Sequence, residues 1–437
     1  MARRKAHAPL NVLLNARLVG RLSRHASGAI DFAYEPQWLA FANAIPVSLS
    51  MPLREERYAG APVIAVFDNL LPDGKALRRR VAERVGAEGD DAYSLLSKIG
   101  RDCVGALQFL PDGQEPDAAG AVKGKIISDA LIANTLANLA RAPLGMSEDN
   151  EFRISLAGAQ EKTALLRWNK KWRLPLGSTP TTHIVKPQIG KLANGVDMTM
   201  SVENEYLCMK LAAAFSVPTA AVSIADFDGE RALVVERFDR HLTNDDRLLR
   251  IPQEDFCQAL STPPTLKYQS DGGPGASAIL ELLKASDEPE ADRLIFLKAQ
   301  ILFWLLGATD GHAKNFSIFL KPGGGFRLTP LYDILSAQPA VDAGQISHNK
   351  FKLAMSVGDS RHYGVERISL RHFVETAISN GLPASAVNTI CDDLLSRSGE
   401  ATDGVIENLP ADFPEGVLES IVGGVKRRAK SLEAALN

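Results

Sequence analysis

Cysteine is scarce in this chain, and the four present, Cys103, Cys208, Cys257 and Cys391, are scattered with no Cys-x-x-Cys pair. That excludes a disulfide framework and points to a reducing compartment. The eight histidines never fall in a His-Glu-x-x-His or similar ligand spacing, which excludes the common zinc-hydrolase pattern. Long apolar runs are missing too. The longest, Ile301-Leu302-Phe303-Trp304-Leu305-Leu306, is far below the roughly 20 residues of a membrane span. Near the basic N-terminus, Asn11-Val12-Leu13-Leu14-Asn15 is too short, and too soon interrupted by Arg17, for a secretory signal. A cytoplasmic protein with no membrane partner is expected. Charge of one sign is also lacking: 49 basic against 52 acidic residues leave −3, so the surface as a whole is not built for nucleic acid. The basic runs Arg3-Arg4-Lys5, Arg78-Arg79-Arg80 and Lys426-Arg427-Arg428 are local.

No Gly-x-Gly-x-x-Gly or Walker A loop, no His-Arg-Asp and no Asp-Phe-Gly occur, and there is no internal repeat. What is present is a spacing. Asp310 and Asn315 stand five apart in Gly307-Ala308-Thr309-Asp310-Gly311-His312-Ala313-Lys314-Asn315-Phe316, and Asp333 follows eighteen residues later in Leu331-Tyr332-Asp333-Ile334. Phosphoryl transfer needs a carboxylate to orient the attacking hydroxyl, and an amide and a second carboxylate to hold Mg²⁺ on the nucleotide phosphates. Such a pair alone also suits a turn. The context favours the first reading. An apolar stretch at 296–306 predicts a buried helix, Phe316-Ser317-Ile318-Phe319-Leu320 a strand, and Gly323-Gly324-Gly325 a turn into Phe326-Arg327-Leu328, which delivers the second acid.

A basic group for the phosphates is offered by Lys186, at the end of the strand-like Thr182-His183-Ile184-Val185-Lys186-Pro187. Glu205, ahead of Glu203, is the expected helix partner for it. The strand-like Ala232-Leu233-Val234-Val235-Glu236 runs into Arg237-Phe238-Asp239-Arg240, where a hinge would present backbone groups to an adenine or an ordinary strand would simply end.

In this order the pieces resemble the HipA toxin kinase family. The carrying stretches are Phe152-Arg153-Ile154-Ser155-Leu156-Ala157-Gly158-Ala159-Gln160-Glu161-Lys162, the Lys186 strand, Val235-Glu236-Arg237-Phe238-Asp239-Arg240, Pro252-Gln253-Glu254-Asp255, Ser270-Asp271-Gly272-Gly273-Pro274-Gly275, the Asp310 loop and Leu328-Thr329-Pro330-Leu331-Tyr332-Asp333. Phe67-Asp68-Asn69-Leu70-Leu71-Pro72-Asp73 and Ile99-Gly100-Arg101-Asp102 extend the likeness toward the N-terminus.

The resemblance implies an ATP- and Mg²⁺-dependent serine/threonine-protein kinase toxin of a type II toxin–antitoxin pair, linked to growth arrest and persistence. Its fold would be α+β, two-lobed and phosphatidylinositol-kinase-like. It would comprise a HipA N-terminal subdomain over 1–115, a nucleotide-binding part of the N-lobe over 145–250 and a helical C-lobe over 251–437. Carried over by position, Asp310 is the catalytic base and Asn315 and Asp333 are the metal ligands. Lys186 contacts the phosphates. The backbone of Glu236, Arg237 and Phe238 meets the adenine, and His312, Lys314 and Tyr332 line the nucleotide site. The loop Ala157-Gly158-Ala159-Gln160-Glu161-Lys162 covers the phosphates, and Ser155 is the autophosphorylated switch. The implied partners are a HipB-like helix-turn-helix antitoxin and a tRNA synthetase substrate, specifically glutamyl-tRNA synthetase. After Arg371-His372-Phe373, Ile378 and Gly381 stand where the family can carry basic residues, so operator DNA is expected to be reached mainly through the antitoxin. Two rival readings are a small-molecule phosphotransferase of aminoglycoside or choline type and a catalytically idle co-repressor. A lipid kinase rests on fold alone.

Overall fold

The structure is a computed structural model and describes residues 7–146 and 153–436. Phe152 and the run Arg3-Arg4-Lys5 lie outside the described residues. The chain forms two compact units of mixed α+β character, one from Met1–Pro187, Ala225–Thr265 and Ile318–Phe326, the other from Gln188–Ile224, Leu266–Ser317 and Arg327–Asn437. The units interleave along the chain, so neither is a single sequential segment.

The first unit begins with an antiparallel five-stranded sheet, ordered Tyr58–Ala59, Ile30–Tyr34, Arg17–Arg24, Leu10–Leu14, Leu107–Pro111. Asn15 and Ala16, both at positive φ, make the two-residue turn between the strands Leu10–Leu14 and Arg17–Arg24. One face of this sheet buries Val12, Leu22 and Phe32, and Phe67 bridges Phe32 and Phe109, 5.6 Å from each ring. Phe67 lies on the helix Ala61–Asp68. From the sequence, residues 8–115 read as short strands and turns with helices near 36–44 and 73–86, so that helix and Ala92–Ile99 are not foreseen. Pro62-Val63-Ile64-Ala65-Val66-Phe67 is an unbroken, partly β-branched apolar run, so helical periodicity is invisible in it. The expected helix near 36–44 shortens to the single turn Pro36–Leu39, while that near 73–86 is found at Lys75–Val85.

A second sheet of six strands is ordered Val222–Phe227, Glu230–Glu236, His183–Pro187, Thr163–Trp168, Lys171–Pro175, Gly124–Ile126. The helix Asp129–Ala137, capped by the Ser128 side chain, lays Ile132 and Leu136 against Val185 and Val234 of the central strands. Lys186 therefore rides on a strand paired on both sides, and its register is fixed opposite Leu233.

In the second unit the expected buried helix is Pro289–Leu306. Proline in its first turn, Glu290 and Asp292 at the positive end of its dipole and left-handed Gly307 just beyond its end define its limits. Arg428, from the helix Glu415–Leu436, donates through Nε to the Leu305 carbonyl (2.9 Å), one of the orphan acceptors of the last turn. Trp304 donates to the Val365 carbonyl (2.8 Å), and Phe296 and Phe303 pack on Phe316 at 5.0 and 5.5 Å. The helix is thus anchored along its length, and its end is a fixed point from which the Asp310 loop departs. Among the described residues no helix is long and apolar enough to cross a membrane.

Glu254 gives the first unit a pH dependence. Its carboxyl is 1% exposed and accepts from the Leu49 amide at 2.8 Å. Burial pushes it up from 4.5 to about 8, with the Leu49 and Ser48 hydrogen bonds opposing the shift. A folded-state value above the unfolded one means that its contribution is complete below 4.5 and is lost as pH climbs toward 8. Glu254→Gln should flatten this decline, so the variant gains on the wild type between about pH 5 and pH 8. Urea midpoints at both ends of the window check it. A constant difference would show that Glu254 is ionised in the folded protein.

Candidate active site

The second unit carries the acidic positions. Leaving the helix at Gly307, the chain pairs Ala308 with Ser336 in an isolated antiparallel bridge, and the Ala337 amide donates to the Gly307 carbonyl at 2.9 Å. The loop then closes on itself. The Asp310 carbonyl accepts from the His312 amide (2.8 Å) and from Asn315 Nδ2 (2.7 Å), and Ala313–Asn315 forms a 3-10 turn. His312, Lys314 and Asn315 are buried, whereas the Asp310 side chain is 54% exposed. The chain therefore spends its amide and turn residues on the loop's interior and leaves one carboxylate facing outward.

Tyr332 ties the second acid to the same loop. Its hydroxyl donates to the Lys314 carbonyl (2.9 Å) and shares a hydrogen bond with Ser317 Oγ. One residue earlier, Leu331 bridges in parallel to Thr219, with its amide on the Pro218 carbonyl and its carbonyl on the Ala220 amide, both 2.8 Å. Asp333 follows at φ 60, a left-handed conformation that costs an L-residue about 1–2 kcal/mol and that Asp tolerates better than most. Tyr332 and the Ala308–Ser336 bridge hold the segment around Asp333 to the Asp310 loop on both sides. The expected grouping of Asp310, His312, Lys314, Asn315, Tyr332 and Asp333 is thus one connected assembly. Among the described residues no group of three or more His, Cys, Asp or Glu is gathered to hold a metal. Any divalent ion here would meet one amide and few carboxylates, and would need most of its oxygen ligands from elsewhere.

Sequence reading missed Tyr268 in this assembly. Its phenol donates to Asp310 Oδ1, and its ring stands edge-on to His312 at 4.8 Å. The signal was available, since it lies two residues before the glycine-rich stretch 270–275. Glu203 and Glu205 lie buried in the helix Ser201–Ala214, and Glu203 accepts from Gln188 Nε2 at 2.7 Å.

The first unit carries the remaining candidates. Lys186 is 5% exposed on its central strand. The segment Ala157-Gly158-Ala159-Gln160-Glu161-Lys162 is tied in at several points. Gly158 forms a parallel bridge with Pro72, its carbonyl accepts from the Asp73 amide (3.0 Å), and Gln160 Nε2 reaches the Pro187 carbonyl at 3.4 Å. Gly158 is at φ 102, and a Cβ there would lie 2.5 Å from Lys162 Nζ. Only glycine lets the buried ammonium of Lys162 close over this turn. Glu161 faces outward toward Arg80, 3.4 Å away.

Ser155 is fully buried. Its hydroxyl donates to the Leu70 carbonyl (2.7 Å) and its amide to the Asp102 carbonyl (2.9 Å). In this arrangement the hydroxyl cannot meet a phosphate donor. Glu236 is exposed at the sheet end, and Phe238 packs edge-on to Phe319 at 5.7 Å. Arg237 turns inward. Its amide donates to the Thr182 carbonyl, and its guanidinium binds Asp239, Thr181 and the Cys103 carbonyl. Its side chain is thus part of a buried ionic cluster and is not available to a nucleotide.

Comparison with known proteins adds the lineage. A profile described as the HipA-like C-terminal domain matches residues 154–402, and one described as the HipA N-terminal domain matches residues 10–110. The chain is 38% identical over 403 residues to “Putative kinase Y4mE” of Sinorhizobium fredii, covering 91% of this chain and 92% of that one. It is 29% identical over 365 residues to the serine/threonine-protein kinase toxin HipA of Shewanella oneidensis, covering 80% and 78%. Among solved structures, HipA of Shewanella oneidensis MR-1, in complex with HipB and its operator DNA, superposes with a TM-score of 0.79 at 24% identity, over 98% of this chain and 99% of the other. That likeness is one of fold. With one profile spanning more than half of the residues and a 38% identical relative matched almost end to end, the chain belongs to the HipA family.

Proposed function

We propose that this protein is an ATP- and Mg²⁺-dependent serine/threonine-protein kinase and the toxin of a HipBA-type toxin–antitoxin module. The observation that carries the reading is the Asp310 loop: one exposed carboxylate on a backbone locked by His312 and Asn315, linked through Tyr332 to a left-handed Asp333. Asp310 orients the acceptor hydroxyl and takes its proton. Asn315 and Asp333 offer the oxygen donors a hard cation prefers, and Lys186 offers a point charge for phosphate oxygens. Mg·ATP, when bound, supplies the γ-phosphoryl group. The two-lobed, phosphatidylinositol-kinase-like description of the fold belongs to the same proposal.

The biological assignment leans on the relatives. The Shewanella oneidensis protein is named a serine/threonine-protein kinase toxin, and its structure is a complex with HipB and operator DNA. A HipB-like antitoxin is therefore the proposed partner, operator DNA is met mainly through it, and the proposed setting is the cytoplasm. Glutamyl-tRNA synthetase is the proposed substrate, and its phosphorylation would arrest growth and favour persistence.

Ser155 fits an off-switch because it is buried. A phosphate brings about −1.5 to −2 charges, which cannot remain at a site that holds a hydroxyl on the Leu70 carbonyl at zero exposure. Modification requires the segment to leave its place, and a modified Ser155 would keep the Gly158 turn from re-forming its bridge to Pro72. Self-phosphorylation should therefore end activity and appear on Ser155 in phosphopeptide maps. Ser155→Ala should not self-inactivate. Decay of activity with Ser155 unmodified would exclude this switch.

Two further outcomes test the catalytic reading. Asp310→Asn should keep the fold and nucleotide binding while lowering transfer by about 10²–10⁴-fold, the usual worth of a general base. Near-normal autophosphorylation in that variant would remove Asp310 from the role. Calorimetry with Mg·ATP should show a greater loss of binding for Asp333→Ala than for Asn315→Ala, because a carboxylate contributes charge as well as a ligand atom. Equal or reversed losses would mean the ligands are wrongly assigned.

A further inference from the structure

The glycine-rich stretch 270–275 has no role in the reading above, yet the loop that contains it is built with unusual restriction. The Tyr268 carbonyl accepts from the amides of both Asp271 (3.1 Å) and Gly273 (3.0 Å), folding the loop back on itself. A Cβ on Gly273 would lie 1.8 Å from the Leu266 carbonyl oxygen, and one on Gly275 would lie 2.4 Å from the Gln269 side chain. No side chain fits at Gly273, and one at Gly275 would displace Gln269. Gln269 in turn pins the loop to the strand Lys352–Val357, its Oε1 accepting from the Ser356 amide (2.7 Å) and hydroxyl (3.1 Å). On the other flank the Lys267 carbonyl accepts from the Ala313 amide at 3.4 Å. Between these anchors stands Tyr268, its phenol on Asp310 Oδ1 and its ring against His312.

We infer that Tyr268 is the positioning residue of the phosphotransfer site, holding Oδ1 of Asp310 so that Oδ2 faces the acceptor hydroxyl. The two carboxylate oxygens are not equivalent in this structure. Oδ1 takes the phenol and lies 3.8 Å from His312 Nε2, whereas among the described residues Oδ2 has no hydrogen bond. The Asp310 backbone is already fixed through its carbonyl, so rotation of the carboxylate about its side-chain bonds is the freedom left to this group, and the phenol removes it. A hydrogen bond to an ionised carboxylate is among the stronger ones available, and restricting the base to one aimed geometry is worth rate without adding affinity for nucleotide. During transfer the acceptor oxygen bonds to the γ-phosphorus, the bond to the ADP oxygen breaks and the acceptor proton passes to Oδ2. Tyr268 keeps its own proton throughout. The inference rests on Asp310 being the base.

The test uses the full-length protein and measures ADP formation from Mg·ATP, with Tyr268→Phe, Asp310→Asn and the double variant. Phe keeps the ring against His312 and loses only the hydroxyl. The expected result is a fall in kcat of about tenfold for Tyr268→Phe, with KM for Mg·ATP and the thermal midpoint unchanged. In the Asp310→Asn background the same change should have no further effect, since the phenol acts only through that carboxylate. A Tyr268→Phe kcat within about twofold of wild type, with Asp310→Asn inactive, overturns the positioning role and leaves the kinase reading intact. A rise in KM with kcat unchanged likewise overturns it. An active Asp310→Asn variant instead removes the base assignment, and the inference falls with it.

Discussion

The carboxylate of Asp102, 2% exposed, is the point on which the first unit turns. Oδ1 accepts from Arg240 and Arg250 at 2.9 Å each, and Oδ2 accepts from the Thr181 amide (3.0 Å) and hydroxyl (2.7 Å). Arg237 lies 3.5 Å away and is itself bound to Asp239, which also receives the Gly105 amide. Burial alone would raise the carboxyl above its ordinary range. The guanidiniums of Arg240, Arg250 and Arg237 outweigh that and hold it well below. Buried ion pairs often stabilise little over an apolar core, but breaking one strands its partners, at a cost of about 3–5 kcal/mol. Here the partners are three arginines, two of them in the run Arg237-Phe238-Asp239-Arg240 and the third at Arg250.

The cluster matters to the site because candidate segments hang from it. Ser155 is fixed by its amide to the Asp102 carbonyl, three residues before the turn at Gly158. Arg237 is drawn inward by Asp239, which sets where the strand Glu230–Glu236 ends and leaves Glu236 outside. One buried charge network thus fixes both the segment proposed to cover phosphates and the segment proposed to meet a base. In the second unit the corresponding anchor is a helix end, where Gly307 and the Ala308–Ser336 bridge take the place of charge.

These two kinds of anchor explain what could be read beforehand. The helix Pro289–Leu306, the strand after it and the triplet of Asp310, Asn315 and Asp333 are local patterns: an apolar stretch, a polar loop and a fixed spacing. They are visible because neighbouring residues carry them. Tyr268 on Asp310 and Arg240 on Asp102 join positions 42 and 138 residues apart, and no periodicity reports such pairs. Arg237 illustrates the loss. As a residue after a strand it suggested a hinge beside a nucleotide, and only its three-dimensional partners show that its guanidinium serves the interior. Ser155 stands between Ile154 and Leu156, and its buried, core-like position matches those apolar neighbours. Its burial is visible in sequence, and its bond to the Leu70 carbonyl is not.

The interleaving of the two units bears on how the protein is made. The chain passes from one unit to the other five times, and the last piece of the first unit is Ile318–Phe326. On a ribosome, the N-terminal sheets emerge early but lack that piece until some three-quarters of the polypeptide has been synthesised. Domains usually fold as they appear, from the N-terminus onward. This protein cannot complete its first unit until the Asp310 loop, which precedes that last piece, has also been translated. An interrupted message therefore yields an unfinished scaffold, and assembly of the first unit follows synthesis of the Asp310 loop.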